Sequence, residues 1–133
     1  MNTQLKALSK AQLRKREVAW LGKDLTRRSK SSCELCGADH TKLYIYEVRP
    51  IPKVPTIHHC LFVCHICNEQ LHNRAKLDSH HWQCLHTAAW SIIPAIQVTA
   101  VDILKRLENE EWARILLEQI YMPPEVKAWL ERM

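Results

Sequence analysis

The N-terminal stretch has a clear pattern in which apolar residues recur every three or four positions between lysines and arginines. The apolar positions are Leu5, Leu8, Ala11, Val18, Leu21 and Leu25. Residues at this spacing lie on one face of a helix, so the pattern predicts an amphipathic basic helix over residues 3–28. Gly22 is expected to weaken the last turns of that helix.

Two short segments further along have the composition of strands. Residues 42–48 (KLYIYEV) and 59–64 (HCLFVC) are rich in aromatic and β-branched side chains, and a loop with three prolines separates them. Such segments pair readily, so they predict a β-hairpin.

The remainder of the chain has helical patterns. One helix is expected directly after Cys67, and a second is expected from Asp78 or Ser79 through Trp90. Three more are expected, and their starts are marked by residues that favour helix N-termini. Those starts lie at Ser91 and Pro94, at Asn109 to Glu111, and at the Pro123-Pro124 pair. The predicted fold class is α+β and mainly helical.

Four of the six cysteines form two C-x-x-C pairs, Cys33 with Cys36 and Cys64 with Cys67. Four thiolates on two tight turns are typical of a tetrahedral, closed zinc site, which stabilises a fold and leaves no position for substrate. Gly37 supplies the positive φ that the first turn favours. With the hairpin between the pairs, the arrangement predicts a small treble clef or zinc ribbon packed against the C-terminal helices. Cys60 is interpreted as a small core residue.

Length and composition are consistent with one zinc-binding domain over residues 30–133, preceded by the basic helix of residues 1–29. Within that domain, residues 30–75 hold the cysteine pairs and the hairpin, and residues 76–133 are helical. The chain has 133 residues and only two glycines, which favours helices. No run of about 18 apolar residues and no secretory signal is present, so we expect a cytoplasmic protein without a membrane span.

The formal charge of +5 is concentrated at the N-terminus. Residues 1–32 contain nine Lys/Arg and two acidic residues, whereas residues 54–133 contain seven and nine. Such an asymmetry indicates either an arm that binds nucleic acid or an acidic protein, or a solvated helix face. The candidate contacts are Arg14, Lys15, Arg16, Lys23, Arg27, Arg28 and Lys30.

A second metal site is conceivable around His81 and Cys84, which lie one helical turn apart. Two ligands do not complete a site, and His72 or His86 would have to join them. Packed and solvent-exposed histidines are the favoured interpretation, and Cys84 is interpreted as a core residue.

Several segments in order resemble the PhnA-like zinc-ribbon proteins, a family named for a phosphonate-utilisation operon. The matching stretches are RSKSSCELCGA, LYIYEV, FVCHICNEQL, HHWQCLHTAAWS and IPAIQVTAVDILKRL, within residues 27–121. The resemblance implies a zinc ribbon. Despite the family name, these residues indicate no phosphonate chemistry. The chain does not continue into the small β-rich C-terminal domain of many members.

The stretch CHICNEQLH is also similar to the metal-binding helix of treble-clef HNH nucleases. In that resemblance, His72 takes the position of the final helix histidine, while Tyr46 and Glu47 occupy the positions of the strand histidines and Asn68 replaces the first helix histidine. A degenerate phosphodiesterase site would then use Glu47, His72 and one of His58 or His59, of which His59 is the preferred third member.

The favoured interpretation is a non-enzymatic protein with one structural zinc that binds nucleic acid or protein through its basic helix. The alternative is a metal-dependent HNH-like hydrolase. A third possibility is self-association through the stripe of Leu5, Leu8, Val18 and Leu21. The five tryptophans are expected to pack in a helical core rather than to stack on bases.

Overall fold

The computed structural model describes residues 8–133, and within them the protein is mainly helical with one small antiparallel sheet. The strands are β1 Leu43–Glu47 and β2 Cys60–Cys64. The α-helices are α1 Lys10–Ala19, α2 Gly22–Ser29, α3 His65–His72, α4 Leu85–Ala88, α5 Pro94–Arg106, α6 Glu111–Gln119 and α7 Pro124–Arg132. Single 3-10 turns lie at Ile57–His59, Arg74–Lys76 and His81–Cys84.

The N-terminal basic segment forms two helices, not the single helix expected over residues 3–28. A capping box starts α1, because the Ser9 hydroxyl accepts from the Gln12 amide while the Gln12 side chain accepts from the Ser9 amide. The helix ends at Trp20 and Leu21, whose amides bond to carbonyls three residues back, and α2 begins at Gly22. Gly22 was expected to weaken the last turns of one helix. It lies instead at the break between two helices. Residues 3–7 lie outside the described residues.

The two strands pair antiparallel as expected, with Leu43 opposite Cys64 and Glu47 opposite Cys60. The register places Tyr46 opposite Leu61, and both are buried. Helix α3 follows β2 without a linker, and the Cys64 sulfur caps it by accepting from the Cys67 amide at 3.5 Å. The second cysteine pair therefore spans the junction of a strand and a helix.

Helix α5 is the centre of the helical part, and nine of its 13 residues are buried. Helices α4, α6 and α7 pack on it, and so does β2. A helix surrounded in this way is apolar on nearly all faces, as the sequence of α5 is. The segment expected to be helical from residue 78 to Trp90 is shorter, consisting of the 3-10 turn His81–Cys84 followed by the four residues of α4.

One hydrophobic core joins the cysteine-bearing half to the helical half. Cys67 and Leu71 belong to the same buried cluster as Trp82, Val98 and Trp129. Both buried indole N–H groups have an acceptor: Trp82 donates to the Gln70 side chain at 2.7 Å, and Trp129 donates to the Arg49 carbonyl at 2.6 Å.

A polar link also joins the two halves. Arg74, just after α3, forms an ion pair with Asp102 of α5 and donates to the Tyr46 hydroxyl of β1 at 2.8 Å. No helix within residues 8–133 is long and apolar enough to cross a membrane.

Candidate metal centre

The two C-x-x-C turns bring their four cysteines together at one end of the hairpin. Cys33 and Cys36 lie in the turn before β1, and Gly37 after them has the positive φ of 81° that was expected. The Cys33 carbonyl accepts from the Gly37 amide at 2.9 Å, and the Cys33 amide donates to Ala38 at 2.8 Å. Cys64 ends β2 and Cys67 lies in the first turn of α3.

The sulfur atoms have the spacing of a tetrahedral metal site. All four Sγ atoms lie within 4.8 Å of one another. Cys33 and Cys67 are 3.8 Å apart at sulfur, and Cys36 and Cys64 are 3.6 Å apart. A tetrahedron with metal–sulfur bonds of 2.3 Å has sulfur–sulfur edges of about 3.8 Å. These separations are far longer than a disulfide bond, and all the cysteines are free. The four cysteines could therefore hold one metal ion.

The pKa values of Cys33, Cys36 and Cys67 depend on burial and on one another. A hydrogen bond from Cys67 lowers the pKa of Cys33 to about 4, and the same interaction, together with burial, raises the pKa of Cys67. Burial raises the pKa of Cys36 to about 12, with repulsion from Cys33 adding to it. A single thiolate is thus stabilised by a neighbouring thiol. Several thiolates would repel one another, so they need a cation between them.

His81, which was considered for a second metal site but interpreted as a packed or exposed histidine, adjoins this cluster. Its Nε2 lies 3.2 Å from the Cys67 sulfur, and burial lowers the pKa of the ring. A neutral imidazole with its proton on Nε2 can donate to a Cys67 thiolate, which is how groups around a metal site commonly orient its ligands. The ring also packs edge-on against Trp82, at 4.8 Å between centroids.

The other residues considered for a second metal do not assemble into one within the described chain. His72 and His86 each place Nδ1 near a carbonyl of their own helical turn, at 2.8 and 2.9 Å. Burial raises the pKa of Cys84 to about 12 and that of Cys60 to about 11. Cys60 is fully buried, as expected of a core residue.

A buried carboxylate fixes the first cysteine turn to the rest of the protein. The Glu34 side chain, between Cys33 and Cys36, is 2% exposed and accepts from both Nε and Nη2 of Arg28, at 2.8 and 2.7 Å. Its Oε1 also accepts from the Phe62 amide at 2.8 Å. Glu34 was not among the residues predicted from the sequence, and its signal there is a charged residue inside a C-x-x-C motif.

The basic candidates divide into two groups. Arg28 is occupied by Glu34 and by the carbonyls of Ile57 and Cys60, and Arg14 donates to both oxygens of Glu47 and to the Lys53 carbonyl. Both arginines therefore hold α1 and α2 against the hairpin instead of facing solvent. The exposed candidates are Lys15, Arg16, Lys23, Arg27 and Lys30.

The stripe proposed for self-association is partly covered by the chain itself. Val18 is 9% exposed, and Leu8 and Leu21 are half-buried. Leu5 lies outside the described residues, so self-association stays a prediction.

The residues of the nuclease hypothesis are only partly brought together. Glu47 and His72 line one cavity of about 440 Å³, together with Arg14. His59 lines a different cleft, where its ring stacks on Trp129 at 4.4 Å between centroids, and His58 lies beside it. Since Arg14 bonds both oxygens of Glu47, this carboxylate already has a cationic partner.

The tryptophans do not all pack in the core. Trp82 and Trp129 are buried as expected, but Trp20 is 84% exposed and Trp90 is 51% exposed. Trp20 lies at the break between α1 and α2, among lysines and arginines. The sequence offered no signal for its exposure beyond the nearby Gly22.

Comparisons with protein-family models, curated proteins and solved structures gave no significant match. The resemblances to PhnA-like proteins and to HNH nucleases therefore stay predictions.

Proposed function

We propose that this protein is a non-enzymatic nucleic-acid-binding module whose fold is held by one structural Zn²⁺ on Cys33, Cys36, Cys64 and Cys67. The observation that supports it most is the cluster of four sulfurs at tetrahedral spacing. All-thiolate sites of this geometry prefer zinc or iron, and with four protein ligands no coordination position is left for substrate. Because Cys67 of the second cysteine pair lies in the first turn of a helix, we assign the arrangement to the treble-clef type and not to a plain zinc ribbon.

The proposed nucleic-acid contacts are the exposed cations of α1 and α2. Lys23 and Arg27 lie one turn apart on one face of α2, Lys30 is the residue that caps the helix, and all three line one groove. Of these, Arg27 has a partner in Asp24 at 3.5 Å, but both side chains are more than half exposed, so this pair is weak. A row of solvated cations on a rigid helix can bind phosphate groups without reading sequence.

Metal analysis of protein purified under reducing conditions tests the first half of the proposal. We expect one zinc per chain, lost when Cys33 and Cys64 are both changed to Ser. Iron in place of zinc, or no bound metal in the folded protein, would contradict it.

Salt-dependent binding tests the second half. The triple variant Lys23→Ala, Arg27→Ala, Lys30→Ala should weaken binding to a labelled oligonucleotide and reduce the slope of log K against log salt by about two to three. A matched control removes three exposed cations elsewhere, Lys76, Lys105 and Lys127, and should bind normally. Equal effects of the two triple variants would contradict the assignment of this face.

A metal-dependent phosphodiesterase is the second candidate, because Glu47 and His72 line one cavity. It requires DNA cleavage with added Mg²⁺, Mn²⁺ or Ni²⁺ that His72→Ala abolishes and His80→Ala does not. We expect no cleavage with any of these ions.

A further inference from the structure

An exposed aromatic side chain, that of Trp20, lies close to the exposed cations of α2. Trp20 is 84% exposed and lines a hollow with Arg16 and Lys23. Lys23 also lines the adjoining groove, which contains Arg27, Lys30 and the half-buried Phe62. Since Lys23 belongs to both depressions, they form one continuous surface, here termed the α2 groove, which is lined by two aromatic rings and by cations.

The exposure of Trp20 is set by the backbone turn between α1 and α2. The 3-10-type bonds from Trp20 to Glu17 and from Leu21 to Val18 turn the chain between the two helices. Val18 before the turn and Leu25 after it are buried, which fixes both sides. Trp20 is therefore held outward, although a large apolar ring is normally covered in a folded protein.

Lys30, another residue of the α2 groove, has an unusual backbone conformation. Lys30 ends α2 in the left-handed conformation, with φ of 55°, at a position where glycine is the usual residue. A lysine in this position adds a cation where a glycine would add none. Phe62 of β2 lies beside it and is positioned by the bond from its amide to Glu34.

We propose that the α2 groove binds single-stranded nucleic acid, with Trp20 stacking on an unpaired base and Lys23, Arg27 and Lys30 contacting the backbone. A positively charged groove that also carries aromatic rings is the usual arrangement for such ligands. A duplex keeps its base faces stacked on one another, so it cannot offer a face to Trp20. This inference rests on the proposed function and adds the class of nucleic acid to it.

The test compares strands that share phosphates but differ in bases. Fluorescence anisotropy would be measured with a labelled oligothymidylate of about twelve nucleotides, an abasic strand of the same length, an oligouridylate and a duplex. We expect the oligothymidylate or the oligouridylate to bind about 10-fold tighter than the abasic strand, and the tighter of the two identifies DNA or RNA as the source. Trp20→Ala should remove this difference and leave abasic binding unchanged, whereas Trp20→Phe should retain part of it.

Trp90→Ala is the matched control, because Trp90 is also an exposed tryptophan but does not line the α2 groove. It should bind as the unchanged protein does. Equal affinity for strands with and without bases, or a duplex bound as tightly as the single strand, would overturn the inference and leave the proposed function standing. Absence of binding to every probe would overturn the proposed function itself.

Discussion

Glu34 shows how much of the metal centre depends on one residue that ligates nothing. It lies inside the first C-x-x-C motif, yet its carboxylate bonds to Arg28 of α2 and to the Phe62 amide of β2. The Glu34 amide also donates to the Phe62 carbonyl, at 2.9 Å. A helix, a strand and the cysteine turn therefore meet at a single buried side chain.

We expect Glu34→Gln to lower the free energy of unfolding by about 2–4 kcal/mol, because it leaves the Arg28 guanidinium without its counter-charge in a poorly solvated position. Urea titration of the metal-loaded protein measures the change. The control is Asp24→Asn, which removes the carboxylate from the exposed Arg27 pair and should cost less than about 0.5 kcal/mol. Equal losses of unfolding free energy in the two variants would show that the buried Glu34–Arg28 ion pair stabilises the protein no more than an exposed pair does.

His81 is the second residue whose importance depends on its neighbours. Replacing it by Phe removes the donor to Cys67 and keeps the ring packing on Trp82. Loss of such an outer contact commonly weakens metal affinity by about 10- to 100-fold. Competition with a chelator should show this loss in His81→Phe but not in His80→Ala, whose side chain is exposed. Unchanged affinity in His81→Phe would exclude the proposed contact.

At the scale of elements, the hairpin and helices α5, α6 and α7 were predictable, since their apolar periodicity and start signals are local. The break at Trp20 was not, because it depends on α1 and α2 packing separately against the hairpin through Arg14 and Arg28. The clustering of the four cysteines could be predicted from their spacing alone. The roles of Glu34, His81 and Trp20 could not, since each depends on a residue distant in sequence or on exposure.

The two glycines of the chain allow a test of the elements they belong to. Gly22 begins α2 with open space around the position of a Cβ, so Gly22→Ala should raise the free energy of unfolding by about 0.5–1 kcal/mol. Gly37 also has open space but has φ of 81°, so Gly37→Ala should lower it by about 1–2 kcal/mol. Thermal unfolding of both variants measures the difference. If both substitutions changed the free energy of unfolding in the same direction, the backbone conformation assigned to Gly22 or to Gly37 would be wrong.

At the scale of the whole molecule, the four-cysteine cluster and the helical part share one core, which has a consequence for cooperativity. Cys67 of the four-cysteine cluster and Trp129 of α7 belong to the same buried core, and the Arg74–Asp102 ion pair adds a polar connection. Helices that pack on a common core with the metal site are not expected to stay folded independently of it.

Chelation should therefore destabilise the helices as well as the hairpin. In a reducing buffer, urea unfolding followed by tryptophan fluorescence and by far-UV circular dichroism should give coincident transitions, and removal of the metal should move both midpoints down together. Binding of the metal to the native state alone requires this shift by mass action. If removal of the metal left the dichroism midpoint in place, α5, α6 and α7 would be a separate folding unit, and the shared core would not couple the two halves.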